Sequence, residues 1–194
     1  DFIADYVKHD VSTQYLNDLC HEKIIGYGAI PAPLNYKGFP KSICTSINHV
    51  VCHGIPSKKK LKDGDIINID VTVIVDGWHG DSSRMYYVGK PSIKAKRLVE
   101  VTHECMMLGI EQVKDGEPFN KIGQAIENHA HKNNFSVVRD YCGHGIGKVF
   151  HDEPSILHYD SGNNELIMKE GMFFTIEPMI NAGKYQTILN KHDG

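Results

Sequence analysis

Residues 66–83 read IINIDVTVIVDGWHGDSS, and the fold is decided by how this stretch is paired. Ile, Val and Thr dominate Ile66 to Val75, Asp76-Gly77 is a tight-turn dipeptide, and the chain returns through Trp78 to Tyr87. That spacing predicts a β-hairpin. The odd positions Ile67, Ile69, Val71, Val73 and Val75 are apolar, while the even positions include Asn68, Asp70 and Thr72. One strand face is therefore assigned to the core, and the other is left for chemistry. With Asp76 and Gly77 as loop residues, Val75 faces Trp78 and Thr72 faces Asp81. Asp81 is then diagonal to Asp70, within reach of a shared ion. A merely solvated hairpin would carry aspartate at its turn more readily than in mid-strand.

Around this hairpin lie 194 residues, enough for one domain with a sizeable core, at 41% hydrophobic content. No stretch has the apolar length of a membrane span or a secretory leader. With 21 basic and 24 acidic residues the net charge is -3, so nothing in the charge balance points to a strong, charge-driven nucleic-acid binder. Five cysteines form no C-x-x-C pair and cannot all be paired within one chain, so a reducing cytoplasm is expected. Twelve histidines are too many for count to mean anything, and a metal site has to rest on position.

In chain order, Asp1 to Lys8 reads as the tail of a helix. The chain begins without Met and ends at His-Asp-Gly, so both ends look cut. Ser12 or Thr13 caps a helix with Leu16, Leu19, Cys20 and Ile24 on one face, ending near Gly26-Tyr27-Gly28. Ile30 to Pro40 is an ordered loop whose Tyr36 and Phe39 are placed to line a pocket. Val50-Val51-Cys52 is expected as a short strand, and Lys58 to Lys62 as a solvated return. Ile93 to Val113 and Pro118 to Asn133 have helical spacing, with Pro118 in the first turn. The Gly- and His-rich run Tyr141 to His151 interrupts that pattern.

The two halves of the chain, about 1–90 and 91–194, repeat one another. Lys62-Asp63-Gly64-Asp65-Ile66-Ile67-Asn68-Ile69-Asp70 aligns without gaps on Lys169-Glu170-Gly171-Met172-Phe173-Phe174-Thr175-Ile176-Glu177. Likewise Val51 to Pro56 aligns on Val149 to Pro154, so each half offers an H-x-x-P followed by a strand ending in a carboxylate. Two related α+β halves are implied. Asp70, Asp81, Glu177 and the His144 of Gly143-His144-Gly145-Ile146-Gly147 then form a set of hard oxygen donors with one imidazole. Such a set suits two divalent ions, manganese, cobalt or ferrous iron, rather than a structural zinc held by sulfur.

The stretches Ser46 to Pro56, Asn68 to Thr72, Gly80 to Ser83, Gly143 to Gly147 and Thr175 to Met179 resemble type I methionine aminopeptidases, in order and spacing and over nearly the whole chain. The resemblance implies a pita-bread α+β fold, a curved antiparallel sheet flanked by helices in two pseudo-symmetric halves forming one catalytic domain. It implies Asp70, Asp81, His144 and Glu177 as ligands of two metal ions between the halves, with His53, His151 and Glu177 as the catalytic groups. His53 would bond the scissile amide or leaving amine, and His151 the substrate carbonyl. Tyr36, Phe39, Cys44, Cys52, His53 and Phe150 would shape a methionine pocket. The implied activity is removal of the initiator methionine by a metal-activated bridging hydroxide, on nascent polypeptides with a small second residue. A cytoplasmic monomer is implied, with room for ribosome association and with neither membrane nor specific nucleic acid as partner. Pro33 stands where some relatives place a pocket cysteine, and the family's fifth ligand, a later glutamate, has no counterpart after Glu177. His79 shares a strand face with Asp81 but is not a family ligand. Two alternatives stay open: a proline-directed aminopeptidase of the same fold, and a non-catalytic pita-bread module that binds proteins or peptides.

Overall fold

The computed structural model describes residues 2–190. The chain divides into two compact units, Asp1–Ala95 with Leu189–Gly194, and Lys96–Ile188.

The first unit is organised on the hairpin. Strand β3 (Ile66–Val75) pairs with β4 (Trp78–Tyr87) in the register read from the sequence, Val75 opposite Trp78 and Thr72 opposite Asp81. Asp76 and Gly77 both take positive φ, 51° and 80°, as the two-residue turn requires. On its other edge β3 is covered in succession by β2 (Cys44–Ile47) and β1 (Ile30–Pro31). Ile67 and Ile69 enter the core, joined by Ile43, Ile47, Leu61 and Val88, and helix α1 (Thr13–Gly26) adds Leu16 and Cys20. The α1 cap is Ser12, whose hydroxyl accepts the Tyr15 N–H at 3.2 Å.

Several expectations for this unit are corrected. The alternation of β3 holds only for its first half: Val73 is half-buried and Val75 is 53% exposed, because the hairpin tip runs past the core, while Ile66 and Thr72 are buried. Residues Phe2–Tyr6 form a 3₁₀ turn rather than an α-helix. The loop at 30–40 contributes β1 and a 3₁₀ turn at Tyr36–Gly38. Val50 to Cys52 is not a strand. The strand lies earlier, at Cys44–Ile47, and ends where Asn48 adopts φ 54° and its side chain takes the Ile66 N–H at 3.0 Å. Asparagine tolerates that left-handed conformation, so the pairing stops there: Asn48 and His49 form a turn closed by the Val50 N–H on Ile47 O at 3.1 Å, and Val51 follows outside any strand. Within Lys58 to Lys62, Leu61 is not solvated but buried in the core.

The second unit combines helix α2 (Ile93–Ile110) and helix α3 (Asn120–Lys132) with two short strand pairings. Strand β5 (Ser136–Val137) pairs with β8 (Ile180–Asn181), and β6 (Gly143–Gly145) with β7 (Asp152–Ile156). Cys105, Ile122, Ile126 and Ile156 are wholly buried in its core. The regular helix starts at Asn120, two residues after Pro118: Pro118 is bridged to Ile167, and the Phe119 N–H bonds Leu166 O at 2.9 Å. Phe119 nevertheless has helical φ/ψ, and the Lys121 and Ile122 N–H groups bond Pro118 O and Phe119 O at 3.1 and 3.0 Å, so Pro118 opens a turn that leads into α3, as its fixed φ favours.

The repeat is visible in each unit taken separately. Asp65 N–H bonds Lys62 O at 3.0 Å around Gly64 (φ 93°), and Met172 N–H bonds Lys169 O at 3.2 Å around Gly171 (φ 88°), two turns of the same kind at aligned positions. After each turn the chain pairs with an earlier strand, Ile67 opposite Ile47 and Phe174 opposite Gly145. Ile67 and Phe174 are aligned in the repeat, and extending the H-x-x-P alignment backwards pairs Ile47 with Gly145. In the second unit, however, the expected strand ending at Glu177 is reduced to a bridge at Phe174, since β6 is only three residues long.

Candidate metal centre

In the first unit the β-ladder fixes which side chains share a face. Asp70 lies opposite Ser83 on β4 and opposite Cys44 on β2, and Asp81 lies opposite Thr72. Paired residues project to the same side and the period is two, so Cys44, Asp70, Thr72, Asp81 and Ser83 share one face. Electrostatics agree: burial pushes the Cys44 thiol far above its ordinary range, and the charges of Asp70, Cys52 and Asp81 push it further. Cys44 is thus a buried neutral wall and not a nucleophile.

His53 stands beside this group on a strained backbone, with φ 55°. Solvent reaches the residue, but the surrounding protein strips away enough water to lower its pKa below the ordinary histidine value, and the Asp81 carboxylate pulls the other way. At neutral pH the ring is therefore mainly uncharged, one nitrogen able to donate and one to accept. Tyr36 and Phe39 flank the 3₁₀ turn of the 30–40 loop, both half-buried. A hollow of about 300 Å³ lined by Phe2, Leu19, Lys23 and Tyr27 belongs to the α1 side of this unit, and none of these carboxylates or imidazoles lines it.

In the second unit β6 carries His144 between two glycines. A Cβ at Gly143 would lie 2.3 Å from Thr175 O, and one at Gly145 would lie 2.3 Å from Glu153 O, so neighbouring backbone packs directly against the strand at both residues flanking His144. His144 Nδ1 lies 3.0 Å from Gly145 O. A carbonyl can only accept, so the proton is at Nδ1 and the ring presents Nε2 outward. Nε2 is 3.6 Å from Glu177 Oε1, too far for a hydrogen bond. It is close to the about 3–3.5 Å that separates two ligand atoms each about 2.1 Å from one metal ion. The donor chemistry and tautomer therefore fit a divalent cation.

Glu177 is held at two points. Thr175 Oγ1 donates to Glu177 Oε1 at 2.5 Å and accepts the His144 N–H at 3.0 Å, and the Glu177 N–H bonds His158 Nε2 at 3.2 Å. Phe150 and His151 stack at 4.1 Å between ring centroids, and His151 lies 4.3 Å from the His144 ring. His144, Phe150, His151 and Glu177 are thus neighbours, as are Cys44, Cys52, His53, Asp70 and Asp81 in the first unit. Sequence reading assigned no role to Thr175 or His158. For Thr175 a signal existed, since Thr175 and Glu177 lie two apart on an extended segment and so on one face. For His158 there was none.

The family model described as metallopeptidase family M24 matches residues 1–192. A methionine aminopeptidase of Rickettsia prowazekii is 68% identical over 194 residues, covering the whole of this chain and 75% of that protein. One of Escherichia coli K12 is 54% identical over 186 residues, covering 95% of this chain and 70% of that protein. Among solved structures, a Rickettsia prowazekii methionine aminopeptidase superimposes with TM-score 0.96 at 67% identity, covering 100% of this chain and 78% of that one. An X-Pro aminopeptidase of Thermotoga maritima, at 20% identity and TM-score 0.75, covers 95% of this chain and 50% of that one and shares the fold alone. The likeness to the methionine aminopeptidases covers the whole chain and carries the pita-bread α+β architecture that the resemblance implied. The chain belongs to metallopeptidase family M24, among its methionine aminopeptidases.

Proposed function

We propose that this chain removes the initiator methionine from polypeptides, as one catalytic domain in which Asp70, Asp81, His144 and Glu177 hold two divalent ions. The observation that carries the reading is the His144–Glu177 pair, with its Nδ1 proton tied to Gly145 and Nε2 set 3.6 Å from the carboxylate. Bound ions would act as Lewis acids and lower the pKa of water to a range useful at neutral pH. Three carboxylates and one imidazole suit manganese, cobalt or ferrous iron.

The remaining steps fall to the chain's own side chains. His53, largely neutral, donates a hydrogen bond to the scissile amide or to the departing amine. His151, stacked on Phe150, meets the substrate carbonyl oxygen. Glu177 carries a proton from the attacking water toward the leaving amine, its Oε1 held meanwhile by Thr175. Tyr36, Phe39, Cys44, Cys52 and Phe150 offer rings and neutral sulfur to a thioether. None of the five cysteines is in a disulfide among the described residues, which supports a cytoplasmic setting. No helix among them is long and apolar enough to cross a membrane. The nascent chain is the partner this reading requires, met as a monomer at or near the ribosome.

The test compares metal-free and manganese- or cobalt-loaded protein on Met-Ala-Ser, Leu-Ala-Ser and Ala-Pro-Ser. Cleavage of the first alone, and only with metal, is expected. Preferential cleavage of Ala-Pro-Ser would establish the proline-directed alternative, and metal-independent turnover would overturn the mechanism.

A further inference from the structure

His158 is wholly buried just beyond β7, and its one hydrogen bond among the described residues runs from the backbone N–H of Glu177 to Nε2. A backbone N–H can only donate, so Nε2 supplies the lone pair and the ring proton resides at Nδ1. Nδ1 is itself buried without a hydrogen-bond partner. A buried imidazole that served packing alone would be better replaced by an apolar side chain of similar size. What this ring contributes is an acceptor aimed at one peptide. The backbone pairing with β6 runs through Phe173 and Thr175, which bond Ile146 and His144 at 3.0 and 2.9 Å. Two residues later, immediately before Pro178, the N–H turns to His158 instead.

We propose that His158 is a positioning residue for the metal centre: its Nε2 fixes the peptide of Glu177 while Thr175 fixes the carboxylate, so that Glu177 meets the ion without reorganising. The proposal rests on the reading of Glu177 as a ligand. Tethering the main chain and the head of one side chain by separate partners removes both the sliding of Cα and the rotation of the carboxylate, and groups behind a ligand tune metal affinity in this way.

The test uses metal-free protein titrated with Mn(II) by calorimetry and with Co(II) by visible absorption, for the parent, His158→Leu, His158→Gln, His158→Asn and Glu177→Gln. Gln can place Oε1 near the position of Nε2, whereas Asn is too short. Leu and Asn are expected to weaken metal binding by roughly 10–100-fold and to alter the Co(II) spectrum. Gln should restore most of both, with thermal unfolding of the metal-free proteins little changed. If Leu does not fold, the Gln–Asn comparison decides. Parent-like binding and spectrum in Leu, or Gln no better than Asn, overturns the proposal while Glu177→Gln still impairs binding. Glu177→Gln with parent-like binding overturns the ligand reading itself, and the positioning role with it.

Discussion

Thr175 gives its hydroxyl proton to Glu177 at 2.5 Å, and the same oxygen takes the His144 N–H at 3.0 Å. One hydroxyl therefore ties two proposed ligands on adjacent segments. Thr175→Val keeps the shape and removes both bonds. Metal affinity should fall roughly 10–100-fold, measured by calorimetric titration with manganese. An unchanged affinity would mean that the hydroxyl merely completes a local turn.

Asp81 is expected to carry more of the binding than any group behind it. It shares a strand face with Asp70, and its loss removes a negative charge that opposes two dications. Asp81→Ala should abolish tight binding of divalent metal, read as a loss of stoichiometry in the same titration. Binding at parental stoichiometry and affinity would remove Asp81 from the ligand set.

His53→Ala should act on turnover and spare the metal. A lost proton-transfer or hydrogen-bonding group lowers kcat by roughly 10²- to 10⁴-fold. Steady-state kinetics on Met-Ala-Ser, with metal content measured alongside, checks this. A fall in bound metal would instead make His53 a ligand.

Burial pushes the pKa of His158 down to about 3. In the unfolded chain the ring titrates near about 6.5, so between these values the unfolded state binds more protons than the folded one. The contribution to stability is complete above about pH 6.5 and declines as pH is lowered toward 3, by up to about 1.4 kcal/mol per pH unit. Urea unfolding of metal-free protein from pH 7.5 to 4.5 should show this decline, with a shallower slope in His158→Gln. Parallel slopes would show that another group titrates.

The hairpin was legible because composition, turn and period all agreed from Ile66 to Tyr87, and Asp70 and Asp81 came with it. Glu177 was legible through the repeat, which aligned it with Asp70, and His144 through the glycine-rich run Gly143 to Gly147. Misplacement of the neighbouring strand has a definite cause: Cys44–Ile47 includes Thr45 and Ser46, which are buried among backbone partners, while the more strand-like Val50-Val51 follows a left-handed Asn48. Burial of small polar residues against a ladder leaves no mark in hydropathy. The turn at Pro118 that leads into α3 was legible from local preference, but its pairing with residues 166–168 was not, because that segment lies far along the chain. His158 was invisible for the same reason, since its meaning lies wholly in a contact with Glu177.

The glycines on either side of His144 bear on how mutational scans of such a protein are read. With carbonyl oxygens 2.3 Å from where either side chain would begin, any substitution at Gly143 or Gly145 must displace the strand that mounts the imidazole. A screen scored on activity would rank all three positions as equally intolerant, and a ranking by intolerance alone would count three functional residues where the chemistry uses one. Scoring the same library for folded protein separates them, because replacing His144 by a side chain that fits leaves abundance intact, whereas replacing its neighbours lowers abundance and activity together.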